Sequence, residues 1–191
     1  MIRQMTTDLD DADDEVLCAA AVLGDREAFE VIVHRHGRAL YRYSRRMLNT
    51  ENDCADVMQE TFIAAWRQLG SGSFRHASSL RTWLFAICSH KIIDSRRIKR
   101  AQPIDDRLIE ATPNDQHVDP FAAASNSAFL AALEEALTEL PFRQRAAWVM
   151  REIELLTFVQ IGQSLQLSAD AARGHHHRAT ATLRVRLRRW Q

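Results

Sequence analysis

Three cysteines, four prolines and six glycines are all that the 191 residues carry of those types. Cys18, Cys54 and Cys88 are odd in number, far apart and without a C-x-x-C pair. That excludes a disulfide framework or a zinc knuckle and makes a reducing cytosol the default expectation. So little glycine and proline excludes a turn-rich all-β fold and favours helices. No apolar run nears the roughly 20 residues of a membrane span, so no direct membrane insertion is expected. The N-terminal MIRQMTTDLDDADDE is acidic, where a signal peptide is basic and then apolar. Net charge is absent as well, with 25 bases against 25 acids, so bulk charge names no partner. G-x-x-x-x-G-K-[ST], G-x-G-x-x-G, G-x-S-x-G and H-E-x-x-H are all missing, and no other catalytic set replaces them. Neither an enzyme nor a cofactor is expected. What is present, 46% apolar residues, fits a globular and mostly helical protein of the cytoplasm.

The zero net charge conceals a sorting along the chain. Residues 1–13 read as a disordered acidic arm. Apolar residues then recur at helical spacing through Val16, Leu17, Leu23, Phe29, Ile32, Val33, Leu40 and Met47, with Gly24 and Gly37 expected to interrupt or end these helices. Thr50 to Asp53 reads as a helix start with acids in its first turn, and that helix stops at Gly70. Met58, Phe62, Ala65, Trp66 and Leu69 form its expected buried stripe and leave Asp56, Gln59, Glu60 and Arg67 off it. After a Gly-Ser loop, a further helix rests on Leu80, Trp83, Leu84, Ile87, Cys88 and Ile92. Around it Arg75, Arg81, Lys91, Arg96, Arg97, Lys99 and Arg100 meet a single acid, Asp94. Trp83 and Phe85 are placed either to stack on bases or to fill the core. From residue 101 to 126, Pro103, Pro113 and Pro120 mix with acids and no apolar period survives, the pattern of a flexible linker. Helical spacing returns at Phe129, Leu133, Leu137 and Leu140, where Pro141 breaks it. The pattern predicts an all-α chain: two small helical domains, residues 14–100 and 127–191, joined by that linker.

The C-terminal unit is the most informative. Thr157 and Gln160 have capping-box spacing, Ile161 and Leu165 give a short helix a buried side, and Gln166-Leu167-Ser168 makes a tight turn. Ser168 caps a second helix, completing a helix-turn-helix whose second member can enter a DNA major groove. Ser168, Arg173, His175, His176 and Arg178 there supply donors for phosphates and base edges, and Asp170 is the single acid between Ser168 and Gln191. A helical hairpin with a solvated basic tail fits the same spacing. His175-His176-His177 invites a metal, but consecutive helical side chains point about 100° apart and cannot all face one ion. No metal site is expected.

Read together, these motifs resemble those of bacterial RNA polymerase sigma factors of the sigma-70 family. Asp56-Val57-Met58-Gln59-Glu60-Thr61-Phe62 is similar to the D-x-x-Q-E-x-F segment, and Ser79-Leu80-Arg81-Thr82-Trp83-Leu84 to the signature that follows it. Leu140-Pro141-Phe142-Arg143-Gln144-Arg145, then Glu152, Thr157, Ile161, Leu165 and Ser168, resembles the C-terminal DNA-binding region. Small size and only two such regions point to the extracytoplasmic-function subfamily. The resemblance implies a region 2-like helical bundle and a region 4-like helix-turn-helix. It implies binding of core polymerase through Asp56, Gln59 and Glu60. Duplex and melted minus-ten DNA would meet Arg81, His90, Lys91, Arg96, Arg97 and Lys99. The minus-thirty-five element would meet the helix-turn-helix residues named above. It further implies an anti-sigma factor, often membrane-anchored, that holds the protein at the inner face of the membrane and wedges between the two domains. The chain departs from the family in Ser89-His90 for a usual Arg-Asn, Gln166 for a turn glycine, Gly174 inside the recognition helix and His176 for a usual Leu. Two rival classes compete. A helix-turn-helix repressor or response-regulator output domain leaves the first two motifs unexplained, and a helical interaction protein leaves the charge sorting unexplained.

Overall fold

A computed structural model describes residues 9–72, 74, 78–101 and 120–190, with the backbone alone at 98–101 and 120–127. The expectations for most of the acidic arm, for Arg75, for the Lys99 side chain and for linker residues 102–119 fall outside them. Every regular element among the described residues is helical. Helices α1 (Asp14–Val22), α2 (Arg26–Met47), α3 (Glu51–Gly70) and α4 (Leu80–Ala101) make the first unit. Helices α5 (Pro120–Glu139), α6 (Phe142–Glu152), α7 (Phe158–Leu165) and α8 (Ala169–Arg186), with a 3₁₀ turn at Arg188–Trp190, make the second.

Short polar side chains set the helix starts. Asp25 accepts from the Ala28 amide at 3.2 Å and Thr50 Oγ1 from the Asp53 amide at 3.2 Å, each satisfying a donor that the helix itself leaves free. Gly24 closes α1 at φ 93°, a conformation that a side chain disfavours. Gly37, by contrast, neither ends nor interrupts a helix: α2 runs through it without a break. Its propensity cost of about 1 kcal/mol is overridden by the packing of a long amphipathic helix. Helix α5 begins at Pro120, inside the stretch read as linker to residue 126. Proline suits a first helical position because its missing N–H is unneeded there, so a residue that punctuates a linker here opens a helix.

The first unit buries Leu17, Ile32, Leu40, Tyr43, Met47, Leu69, Leu84, Phe85 and Ile92, and the second Leu137, Val149, Met150, Leu156, Ile161 and Leu183. On α3 the buried residues are Cys54, Val57, Thr61, Ala65 and Leu69. The stripe is therefore rotated from the expected one, with Met58, Phe62 and Trp66 only half-buried at its margin. Phe29 of α2 meets that margin edge-on, 5.0 Å from Trp66 and 6.4 Å from Phe62. All three cysteines are free and buried, and burial pushes the Cys18 and Cys88 thiols up to about 11, away from reactive thiolate. Phe85 is core, 5.4 Å from the Tyr43 ring, while Trp83 stays half-buried against Phe74 at 4.7 Å. Of the two aromatics considered for base stacking, Phe85 is thus closed off.

Candidate nucleic-acid interface

Three surfaces carry the residues singled out by sequence. On α3, Asp56, Gln59 and Glu60 all lie on the exposed side. One turn separates Asp56 from Glu60, so they present one acidic ridge. Glu60 meets Lys91 of α4 at 3.1 Å, which places this ridge directly beside the basic helix.

Helix α4 divides its polar residues by face. His90 and Arg97 are exposed, Lys91 is half-buried against Glu60, and Ser89 is buried. Ser89 Oγ donates to the Phe85 carbonyl at 2.8 Å and pairs with the Tyr43 hydroxyl at 2.9 Å. The Ser89 departure is therefore a core substitution coupled to Tyr43, while His90 alone faces outward. Arg81 and Arg96 point elsewhere. Arg81 Nη2 lies 3.3 Å from Glu154 Oε2, and the Arg96 guanidinium sits 5.8 Å above the Phe142 ring. Both contacts are with the second unit.

The helix-turn-helix assembles as its capping chemistry dictates. Thr157 Oγ1 accepts from the Gln160 amide at 3.3 Å, and Gln160 Oε1 accepts from the Thr157 amide at 2.9 Å. Ser168 caps α8 by accepting from the Ala171 amide at 3.1 Å. Between them, Gln166 adopts the left-handed conformation, φ 54° and ψ 52°, that a glycine usually supplies. Gly162 is the glycine this turn cannot do without. A Cβ there would stand 2.7 Å from the Leu167 carbonyl oxygen, so α7 approaches the turn backbone too closely for any side chain.

Along α8, Arg173 and Arg178 are exposed and His175 is half-buried. Arg173 pairs with Asp170 at 2.7 Å and lies 5.3 Å over the Phe158 ring. Arg178 donates to His175 Nδ1 at 3.2 Å. Burial first, then Arg178 and Arg143, lower the His175 pKa, so the ring is neutral near pH 7 and free to accept. His176 turns inward: Nε2 lies 2.7 Å from Glu152 Oε1, and its ring packs edge-on to Phe158 at 5.5 Å. It ties α8 to α6. His177 is exposed, so the three histidines diverge. No three His, Cys, Asp or Glu residues among those described are grouped to hold a metal ion.

Sequence reasoning missed Arg42, Glu154 and Gly162, and the pairing of Glu152 with His176. Glu152 was visible only as a motif position, and Arg42 is one arginine among several on α2. No local pattern marks Glu154 as a residue whose partners lie 112 and 73 positions away. No helix among the described residues is long and apolar enough to cross a membrane.

Against known proteins, residues 32–102 match the sigma-70 region 2 family and residues 136–185 the sigma-70 region 4 family. The chain is 32% identical over 171 residues to the ECF RNA polymerase sigma factor SigM of Mycobacterium tuberculosis, covering 89% of this chain and 82% of that one. It is 32% identical over 178 residues to the RNA polymerase sigma factor CnrH of Cupriavidus metallidurans, covering 89% and 92%. The solved structure of CnrH in complex with the cytosolic domain of CnrY superposes with a TM-score of 0.69 at 30% identity, covering 91% of this chain and 96% of that one. The sigma factor RpoE of Bartonella quintana, solved with the anti-sigma factor NepR, shares the fold at a TM-score of 0.65 and 18% identity over 84% of this chain. The chain belongs to the extracytoplasmic-function RNA polymerase sigma factors. The family is one of transcription initiation factors, which leaves the two rival classes without support.

Proposed function

We propose that this chain is the promoter-recognition subunit of a bacterial RNA polymerase. It binds the core enzyme through the α3 ridge, reads and melts the minus-ten element with α4, and reads the minus-thirty-five element with α8. One observation carries this reading: an exposed acidic ridge, Asp56 to Glu60, joined through Lys91 to a basic helix, on a chain that ends in a fully capped helix-turn-helix. The acids offer a charged docking face to a protein, and the bases on the next helix draw in nucleic acid.

Each basic surface has its own chemistry. Along α4, Lys91 and Arg97 meet phosphates, so binding there responds to salt more than to sequence. His90 is the exposed α4 residue placed to touch a base or sugar, and half-buried Trp83 offers an edge for stacking. Along α8, Arg173, His175 and Arg178 reach base edges in the major groove, oriented by the Ser168 cap and the His176–Glu152 tie. CnrH was solved in complex with the cytosolic domain of CnrY and RpoE with the anti-sigma factor NepR, and we assign this chain control by an anti-sigma factor. It acts in the cytoplasm, held at the membrane's inner face when that partner is membrane-anchored, and it catalyses nothing by itself.

Reconstitution tests the function. Core polymerase plus the purified chain initiates transcripts at a fixed site on a cognate promoter, and core alone does not. A chain that neither co-elutes with core nor redirects initiation overturns the proposal.

A further inference from the structure

Asp170 is the single acid between Ser168 and Gln191, on a helix otherwise rich in bases. A carboxylate on a DNA-facing helix repels phosphate, so any duplex would bind more tightly without it. Part of its presence is local. It stands in the first turn of α8, where negative charge suits the free amides of the helix start. That accounts for an acid in the turn but not for where its oxygen is aimed. Oδ1 accepts from Arg173 Nη1 at 2.7 Å, one turn on, with the Asp170 side chain 88% exposed and the Arg173 side chain 60%. An ion pair so open to water adds little to the stability of the fold. Its effect is to hold an arginine.

A second restraint comes from α7. Phe158, the first residue of that helix, is half-buried, and the Arg173 guanidinium lies 5.3 Å from its ring centroid. The ring is itself held by its neighbours. Arg151 of α6 lies 5.0 Å from the same centroid and donates to the Leu156 carbonyl at 3.0 Å. The His176 ring meets Phe158 edge-on at 5.5 Å and is tied to Glu152 at 2.7 Å. A guanidinium set over a fixed aromatic face, with a carboxylate at one nitrogen, keeps few of the conformations of a free arginine. These contacts engage Nη1 and the face of the group. Among the described residues, Nε and Nη2 of Arg173 donate to nothing. They form the same edge with which Arg42 grips both oxygens of Glu154. Two parallel donors on one edge match two acceptors side by side, as O6 and N7 of guanine stand in the major groove.

We propose that Asp170 and Phe158 are positioning residues that hold Arg173 with its Nε–Nη2 edge free, and so set the choice of guanine at one position of the minus-thirty-five element, an assignment that rests on reading α8 as the minus-thirty-five helix. An arginine fixed before contact gives up less side-chain freedom on binding. It also discriminates, because a guanidinium that cannot swing to the nearest phosphate gains nothing from the wrong base. Asp170 thus lowers affinity for every duplex and sharpens the preference among them.

The test uses holoenzyme reconstituted from core polymerase and the full chain, selecting duplexes from a library randomised across the minus-thirty-five region. Wild type should enrich guanine at one position, and Arg173→Ala should lose that preference there alone. Asp170→Ala and Phe158→Leu should each lower it about fivefold, the low end of what one bidentate contact discriminates. Asp170→Ala should at the same time bind a duplex without a minus-thirty-five match more tightly, since a repelling charge is gone. Phe158→Trp should keep the preference, because indole offers the guanidinium a face at least as good. In an Arg173→Ala background, Asp170→Ala and Phe158→Leu should leave the base profile unmoved, whereas residues that merely start or pack the helices would still shift it. Asp170 is exposed, so its variant decides the matter if Phe158→Leu unfolds. Undiminished guanine preference in Asp170→Ala, or equal losses with and without Arg173, overturns the positioning role and leaves minus-thirty-five reading intact. A wild-type holoenzyme with no preference anywhere in the library removes the reading of α8, and the positioning role with it.

Discussion

Lys91 on α4 and Glu60 on α3 form an ion pair at 3.1 Å that ties the exposed acidic ridge of α3 to the basic helix α4. The Glu60 side chain is 61% exposed, so the pair itself contributes only about 0–1 kcal/mol to stability. Under the proposed function, a core polymerase that takes Glu60 would release Lys91 for phosphate.

Glu60→Lys should therefore weaken binding to core polymerase strongly while changing stability by only about 0.5 kcal/mol. Asp56→Lys should do the same. Core affinity by fluorescence anisotropy, alongside a thermal melt, separates the two effects. Unchanged affinity for both variants takes the α3 ridge out of the interface.

Within one turn, two residues make opposite demands on glycine. Gly162→Ala drives a methyl group into the Leu167 carbonyl and should cost about 1–3 kcal/mol, with loss of duplex minus-thirty-five binding. Gln166→Gly relieves a left-handed backbone that costs an ordinary residue roughly 1–2 kcal/mol. Set against the greater unfolded-state freedom of glycine, about 0.5–1 kcal/mol, the net is a small gain. Melting temperatures should move in opposite directions, and movement in the same direction would show that the turn is not packed as described.

Salt and sequence should separate the two basic helices. Arg173→Ala or Arg178→Ala should cost about 1–3 kcal/mol at cognate promoters and relax preference at one position. Arg97→Ala should weaken all promoters alike and lower the salt slope by roughly one. Holoenzyme binding to promoter variants across a salt series is the measurement. If both α8 variants behave like Arg97→Ala, α8 does not read bases.

Acid should destabilise the fold through two histidines. His36 has its pKa lowered, by burial foremost, although Asp14 at 3.0 Å opposes the shift, and His175 is lowered too. A histidine whose folded pKa lies below its unfolded value of about 6.5 binds fewer protons folded than unfolded. Its contribution is then full above the unfolded pKa and is lost as pH falls below about 6.5 towards the folded pKa. Melting temperature should drop across that window, and the drop should shrink in His36→Gln. A melting temperature that is flat or rises on acidification contradicts the buried, neutral His36.

The sequence by itself determined the helical class, the capped helix-turn-helix and the sorting of charge. These depend on neighbours: Thr157 and Gln160 meet because they are three residues apart, and Ser168 caps the helix that it precedes. The exposure of Asp56, Gln59 and Glu60 was legible because helical spacing puts them off the apolar stripe. Local rules misled where packing outweighed them. Gly37 sits inside an unbroken helix, Pro120 opens one, and the α3 stripe is rotated towards Cys54 and Val57. Only the tertiary structure decided the partners of Ser89, His176, Arg81 and Glu154. A buried hydroxyl, imidazole or carboxylate is defined by what surrounds it in space, and the Arg42 fork reaches Glu154 across 112 residues of chain. No periodicity encodes that distance, because it is set by how two amphipathic units, each with its own legible pattern, come to rest against one another.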